Sequence, residues 1–235
     1  METDYVPKHI GIIMDGNRRF SKRLMMKPWK GHEWGAEKVK KVLEWCKDYG
    51  IEELTLYSFS YQNFNRSKKE FDHLMDIFIK NFRELKNKSD KLAENGIRIN
   101  VIGRTWLFPE ELQKEIKDIM ELTKENSEYT INFAMAYGGQ EEIVDATKKI
   151  AERVKEGNLN IDDINKEIFS ESLYMKNEPD VIIRTGGEKR SSNFLPFQSA
   201  YSEWFYIEKM WPEFEKEDFA EIIDTFSIRK RRFGK

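Results

Sequence analysis

Short apolar runs that alternate with longer helical patterns place the tightest constraint on how this chain folds. His9–Met14 (HIGIIM) reads as a buried strand that ends at Asp15-Gly16. A helix is predicted over Trp34–Asp48, with Val39, Val42, Leu43 and Cys46 on one face and Gly50 as its stop. Leu54–Phe59 is a second strand. Ser67, with Glu70 three residues later, forms a capping-box pattern. It opens a long helix carried by Phe71, Leu74, Met75, Phe78, Phe82 and Leu85 and ended by Gly96. Ile97–Ile102 is a third strand, and Pro109 suits the first turn of the helix after it. Thr130–Ala136, Val181–Ile183 and Trp204–Ile207 read as strands four to six, with helices over Glu141–Glu156 and Asp218–Ile228. Strands separated by helices imply βαβ units. The expected class is therefore α/β, a mainly parallel six-stranded sheet flanked by helices.

No Pro/Gly/Ser linker and no internal repeat divides the 235 residues, so residues 1–235 are read as a single domain. Composition removes several function classes. Lys plus Arg (40) nearly cancels Asp plus Glu (42), which argues against a dedicated nucleic-acid binder. The basic run Arg229-Lys230-Arg231-Arg232 keeps that class as a rival. One cysteine, Cys46, excludes an internal disulfide framework, and three histidines disfavour a histidine-rich metal site. No apolar run of about 18 residues is present. The acidic start Met1-Glu2-Thr3-Asp4 lacks an apolar leader, so a cytoplasmic location is expected. No dinucleotide fingerprint, P-loop or G-x-S-x-G elbow occurs.

In parallel sheets ligands bind beyond the carboxyl ends of the strands, and three polar clusters fall there. Asp15-Gly16-Asn17-Arg18-Arg19-Phe20 follows the first strand. Backbone N–H groups at a helix start and two arginines suit an anion, and Mg²⁺ would reconcile that anion with Asp15. Taken singly, the same residues equally suit a capping aspartate with solvated arginines. Ser58 to Arg66 follows the second strand and carries no charge before Arg66. The third cluster, Arg184-Thr185-Gly186-Gly187-Glu188-Lys189-Arg190-Ser191-Ser192-Asn193-Phe194, has in Arg184, Lys189, Arg190 and its serines the donors for a second diphosphate. Glu203 is a candidate second metal-facing carboxylate, and His32 alone carries little weight.

Five ordered motifs then point to a family. They are MDGNRRF at Met14–Phe20, KGHEWG at Lys30–Gly35, YSFSYQNFNR at Tyr57–Arg66, YGGQEEIVDA at Tyr137–Ala146 and RTGGEKRSSNFLPFQSAYSEWFY at Arg184–Tyr206. From about His9 to Gly234 the chain resembles the cis-prenyltransferases of the undecaprenyl diphosphate synthase group, in an archaeal-like branch. The resemblance implies a homodimer that condenses isopentenyl diphosphate with a farnesyl or geranylgeranyl diphosphate. The products would be pyrophosphate and a polyprenyl diphosphate for a lipid glycan carrier, delivered to a membrane. It implies Asp15 as the essential carboxylate with Mg²⁺, and Glu203 completing the metal site. Gly16, Asn17, Arg18, Arg19, Phe20 and His32 fall with the allylic diphosphate. Asn63 takes the position of proton abstraction or its relay, with Ser60, Phe64 and Arg66 around the substrates. Arg184, Arg190 and Ser192 hold isopentenyl diphosphate, and Arg232 in the R-x-G tail reaches the partner's site. The aromatic wealth (16 Phe, 9 Tyr, 6 Trp) finds a use in a hydrophobic tunnel lined in part by Phe71–Leu85.

The chain departs from the commoner family pattern at Pro28, Phe64, Gln140, Lys189 and Pro196-Phe197, which bear on substrate preference and product length. Two further alternatives stand beside elongation. One is a short-chain or atypical transferase using another acceptor. The other is a non-catalytic partner subunit, disfavoured because Asp15, Arg19, Asn63, Arg184, Arg190 and Glu203 are all present.

Overall fold

The computed structural model describes residues 6–228. Six strands, β1 His9–Ile13, β2 Glu53–Ser60, β3 Ile97–Ile102, β4 Tyr129–Tyr137, β5 Val181–Arg184 and β6 Glu203–Tyr206, form one sheet in the order β3-β4-β2-β1-β5-β6. Every pairing is parallel, as the alternation of runs requires. The helices are α1 Asn17–Arg23, α2 Pro28–Asp48, α3 Lys68–Lys86, α4 Ser89–Glu94, α5 Glu110–Thr123, α6 Gly139–Lys155, α7 Lys166–Ser172 and α8 Lys216–Ile228.

Side chains alternate across the sheet. Ile10, Ile12, Val181 and Ile183 face the larger core, which α2, α3, α5 and α8 cover. Ile13, Ile182, Phe194 and Leu195 form a smaller core on the opposite face. All five residues of β1 are buried, as expected for the centre of a sheet covered on both sides.

The helices depart from expectation in three places. The second helix starts at Pro28, six residues earlier than Trp34, because proline fits a first helical turn. The long helix from Ser67 does not run to Gly96. It stops at Lys86, and α4 resumes at Ser89. Ser67 Oγ accepts from the Glu70 amide at 3.4 Å as a cap should, but the Glu70 carboxylate turns elsewhere. The short α7 has no counterpart in the sequence reading.

Chain order places the site. The chain leaves β1 toward β2 on one side and returns as β5 on the other, so the sheet changes winding direction between β1 and β5. A crevice opens at such a switch point, at the carboxyl ends of the strands. The short helix α1 rises from that crevice and packs closely on α2 through glycine. A Cβ added to Gly31 would lie 2.0 Å from the Asn17 carbonyl oxygen. Gly31→Ala must therefore push the two helices apart. The expected cost is about 2 kcal/mol, read as a drop in Tm of about 4–8 °C by calorimetry.

Candidate active site

An ion pair spans the crevice. Arg184, at the end of β5 and 3% exposed, donates from Nη2 to Asp15 Oδ2 at 2.9 Å. Its Nη1 donates to Ser192 Oγ at 2.7 Å and to the Arg190 carbonyl. The other Asp15 oxygen accepts from the Gly16 amide at 2.6 Å and faces Arg19 Nη2 at 3.2 Å. Burial pushes the Asp15 carboxyl up, but the Arg184 guanidinium and then Arg19 outweigh it, so the group stays ionised below the usual range. Its main-chain carbonyl is fixed as well, by the Thr185 hydroxyl at 2.8 Å and the Trp211 amide at 2.9 Å. Gly186 allows this approach. At φ 84° it uses a left-handed conformation, and a Cβ there would sit 2.6 Å from Arg19 Nη2.

Three cavities meet at this point. A polar one of about 580 Å³ is lined by Asp15, Tyr57, Ser60, Asn63, Arg66, Arg184 and Ser192. A second polar one, of about 750 Å³, is lined by Gly16, Arg18, Arg19 and Lys22. The two share Met14, Asp15, Asn17, His32 and Arg66. An apolar cavity of about 210 Å³ lies among Val39, Leu43, Leu74, Phe78, Phe82 and Phe133, and touches both at Met14, Asn17 and His32.

The orientation of Asn63 limits what it can do. Its Oδ1 accepts from the Ser60 amide at 3.1 Å, and the Ser60 hydroxyl oxygen accepts in turn from the Asn63 amide. That box occupies the amide oxygen and leaves the NH₂, a donor, as the free end of the side chain. Asn17 donates to the Met14 carbonyl at 3.1 Å, while its buried Oδ1 has no partner.

Glu70, on the first turn of α3 and 6% exposed, organises the second polar cavity. Its carboxylate bonds Arg66 Nη1 at 2.5 Å and lies 3.5 Å from Arg18 Nε and 3.8 Å from His32 Nε2. The His32 imidazole beside it, with the Arg66 and Arg18 guanidinium groups, outweighs the penalty of burial and holds its pKa down at about 2. Burial pulls His32 below the usual imidazole value, and Arg66 and Arg18 add to that against the pull of Glu70.

Several sequence-predicted residues stand apart from these cavities. Phe20 packs edge-on against Trp34 at 5.2 Å. Phe64 sits in an aromatic cluster with Phe59, Phe71 and Phe108. The exposed Arg190 side chain pairs with Glu188 at 2.6 Å, and only its carbonyl reaches Arg184. Glu203 is not brought to Asp15 within one chain. It begins β6 in register with Val181, whereas Arg184 is level with Tyr206 and Ile13. Three strand residues, about 10 Å, separate Glu203 from the carboxyl edge. Arg232 lies outside the described residues. The sequence reading gave no site role to Glu70 or Trp211, and named Thr185 and Asn193 only as members of the third cluster. For Glu70 the available signal was its spacing of four from Arg66 on a helix. Asn193 joins the third cluster to α6, accepting from the Gln140 amide at 2.9 Å and donating to Glu141 at 3.0 Å.

The family model described as undecaprenyl diphosphate synthase matches residues 13–234. The chain belongs to the undecaprenyl diphosphate synthase family. It is thus a transferase of prenyl groups that elongates prenyl chains in the cis sense. The tritrans,polycis-undecaprenyl-diphosphate synthase (geranylgeranyl-diphosphate specific) of Pyrococcus furiosus is 48% identical over 232 residues, covering 98% of this chain and 88% of that one. The protein of the same name from Methanocaldococcus jannaschii is 46% identical over 239 residues, covering 100% and 85%. Among solved structures, lavandulyl diphosphate synthase from Lavandula x intermedia, in complex with dimethylallyl diphosphate, superposes with TM-score 0.92 at 35% identity. The match covers 98% of this chain and 99% of that one.

The Glu70 cluster has a defined pH signature. A carboxyl whose pKa is lowered by folding contributes stability that is full above its unfolded value, about 4.5, and is lost as the pH falls toward about 2. Glu70→Gln is expected to destabilise the protein in urea at pH 7. The gap between wild type and variant should close as the pH drops from 4.5 to 2.

Proposed function

We propose that this prenyltransferase condenses isopentenyl diphosphate with an allylic primer, geranylgeranyl diphosphate, and that it depends on Mg²⁺. The carrying observation is the pair of polar cavities joined at Asp15, Asn17, His32 and Arg66 and abutting one apolar cavity. Two diphosphates and one hydrocarbon need that arrangement. Names of the archaeal relatives, which specify geranylgeranyl diphosphate, support the choice of primer.

Arg184 and Ser192 bind the isopentenyl diphosphate, with Arg190 at the rim. Gly16, Asn17, Arg18, Arg19 and His32 bind the allylic diphosphate, and the apolar cavity between α2 and α3 is the start of a tunnel for the chain. The ionised Asp15 fits a cation of this type, which uses one or two carboxylates plus substrate phosphates. When bound, Mg²⁺ supplies charge stabilisation at the departing diphosphate. Arg18 and Arg19 stabilise the same developing charge. Holding both diphosphates brings the isopentenyl alkene to the allylic carbon. Asn63 donates to a diphosphate oxygen, and the pyrophosphate it orients takes the proton released on forming the new double bond.

A homodimer completed by the Arg232 tail, a peripheral membrane location and a product used as a lipid glycan carrier belong to the same reading. A short-chain product is the second reading, favoured by the likeness to lavandulyl diphosphate synthase. Labelled isopentenyl diphosphate offered with geranyl, farnesyl and geranylgeranyl diphosphates, with products sized by chromatography, separates the two. Long products primed best by geranylgeranyl diphosphate are expected, abolished by a chelator and restored by Mg²⁺. Short products alone would select the second reading. Asp15→Asn, which keeps size and polarity, should lower kcat/KM about 10²–10³-fold. Full activity would remove Asp15 from the metal site. Phe78→Ala enlarges the apolar cavity and should shift products to longer chains, whereas an unchanged length assigns Phe78 to packing alone.

A further inference from the structure

The turn between α1 and α2 presents apolar side chains to solvent that the fold does not use. Helix α1 ends in a Schellman motif, with the Met26 amide donating to the Ser21 carbonyl at 2.8 Å and the Met25 amide to Lys22 at 3.0 Å. Glycine is the usual residue at the left-handed position of this motif. Here Met25 occupies it at φ 53° with its side chain 96% exposed. The position is unfavourable for the backbone and contributes nothing to the core. Leu24 and Met26 flank it at 42% and 37% exposure. One turn before Leu24, Phe20 packs against Trp34, itself 41% exposed, so the apolar surface extends along both helices.

The segment that carries this tip is basic in sequence. Gly16 to His32 contains six Lys or Arg and no Asp or Glu, in a chain with 42 acidic residues. Arg23 and Lys30 pair with Glu213 and Glu33. Lys22 and Lys27 are exposed and have no ion-pair partner among the described residues. Met25, Met26 and Lys22 also stand at the mouth of the polar cavity that holds Arg18 and Arg19.

We propose that the Leu24-Met25-Met26 turn, with Lys22 and Lys27, docks the enzyme on an anionic lipid surface and turns the mouth of that cavity to the bilayer. An apolar tip rimmed by cations inserts at the acyl–headgroup boundary while its lysines meet anionic headgroups. Unbranched methionines adapt to a fluid surface. The proposal rests on the function above for its purpose, since a primer and product with long hydrocarbon tails reside in membranes.

Sedimentation with vesicles tests it without substrate. Vesicles of phosphatidylcholine containing about one-third phosphatidylglycerol should carry the protein down at low salt. Pure phosphatidylcholine vesicles should not, and about 0.5 M salt should release it. Lys22→Gln with Lys27→Gln should weaken the partition about thirty-fold. Leu24→Ser, Met25→Ser and Met26→Ser together should weaken it at least about ten-fold. Met25→Gly separates docking from folding, because it should raise Tm and yet reduce vesicle binding. Wild type left in the supernatant at low salt would overturn the proposal. So would undiminished binding by the triple serine variant, or a triple variant whose only change is loss of a dimer in the ultracentrifuge. Vesicle binding without incorporation of isopentenyl diphosphate would sink the assigned function and leave the docking turn standing. Incorporation without vesicle binding would do the reverse.

Discussion

The ion pair between Asp15 and Arg184 is the constraint on which the rest of the site depends. It joins the two strand ends at which the sheet reverses its winding, and almost every polar group nearby is arranged around it. Thr185 and Trp211 fix the Asp15 backbone, while Ser192 and the Arg190 carbonyl fix the Arg184 guanidinium. A buried pair of this kind contributes little net stability, but removing either partner strands a charge. Its value lies in geometry: it fixes a carboxylate and an arginine against each other and leaves hydrogen-bonding capacity over. The Arg184 Nε, buried with no partner, is part of that unspent capacity.

The sheet was legible in the sequence because buried parallel strands are short, apolar and punctuated. Ile97–Ile102 is read to the residue, and the other strands to within one or two. Helix ends were less legible. Pro28 opens α2 well before the apolar stripe of Val39, Val42 and Cys46 becomes visible. The break at Asn87-Lys88 has no glycine or proline to announce it. The three strand-end clusters were found because the carboxyl-end rule needs only the strands. The pairing of Asp15 with Arg184 was not, since it depends on β1 and β5 being neighbours despite 169 residues between the partners.

Glu70 and Glu203 show that a carboxylate's place in a motif does not fix where its side chain lies. Glu70 stands where a helix cap would place it, and its amide does serve the cap. Its side chain instead binds two arginines and faces a histidine, because those charges outcompete a backbone N–H as partners. Glu203 stands in the motif beside Arg184 and Ser192, yet motif order is not spatial order. Glu203 begins β6 and so lies at the amino end of that strand, with Tyr206 at its carboxyl end. Phe64 is similar: its motif neighbours line a cavity, while its ring turns into the aromatic packing behind them.

The sharing of walls between the two polar cavities has a thermodynamic corollary. Asp15, Asn17, His32 and Arg66 face both spaces, so a charge bound in one is felt in the other through the same side chains. Linkage makes that influence reciprocal: whatever factor the first occupant imposes on the affinity of the second, the second returns in full. The two compartments are in this sense a single coupled binding equilibrium.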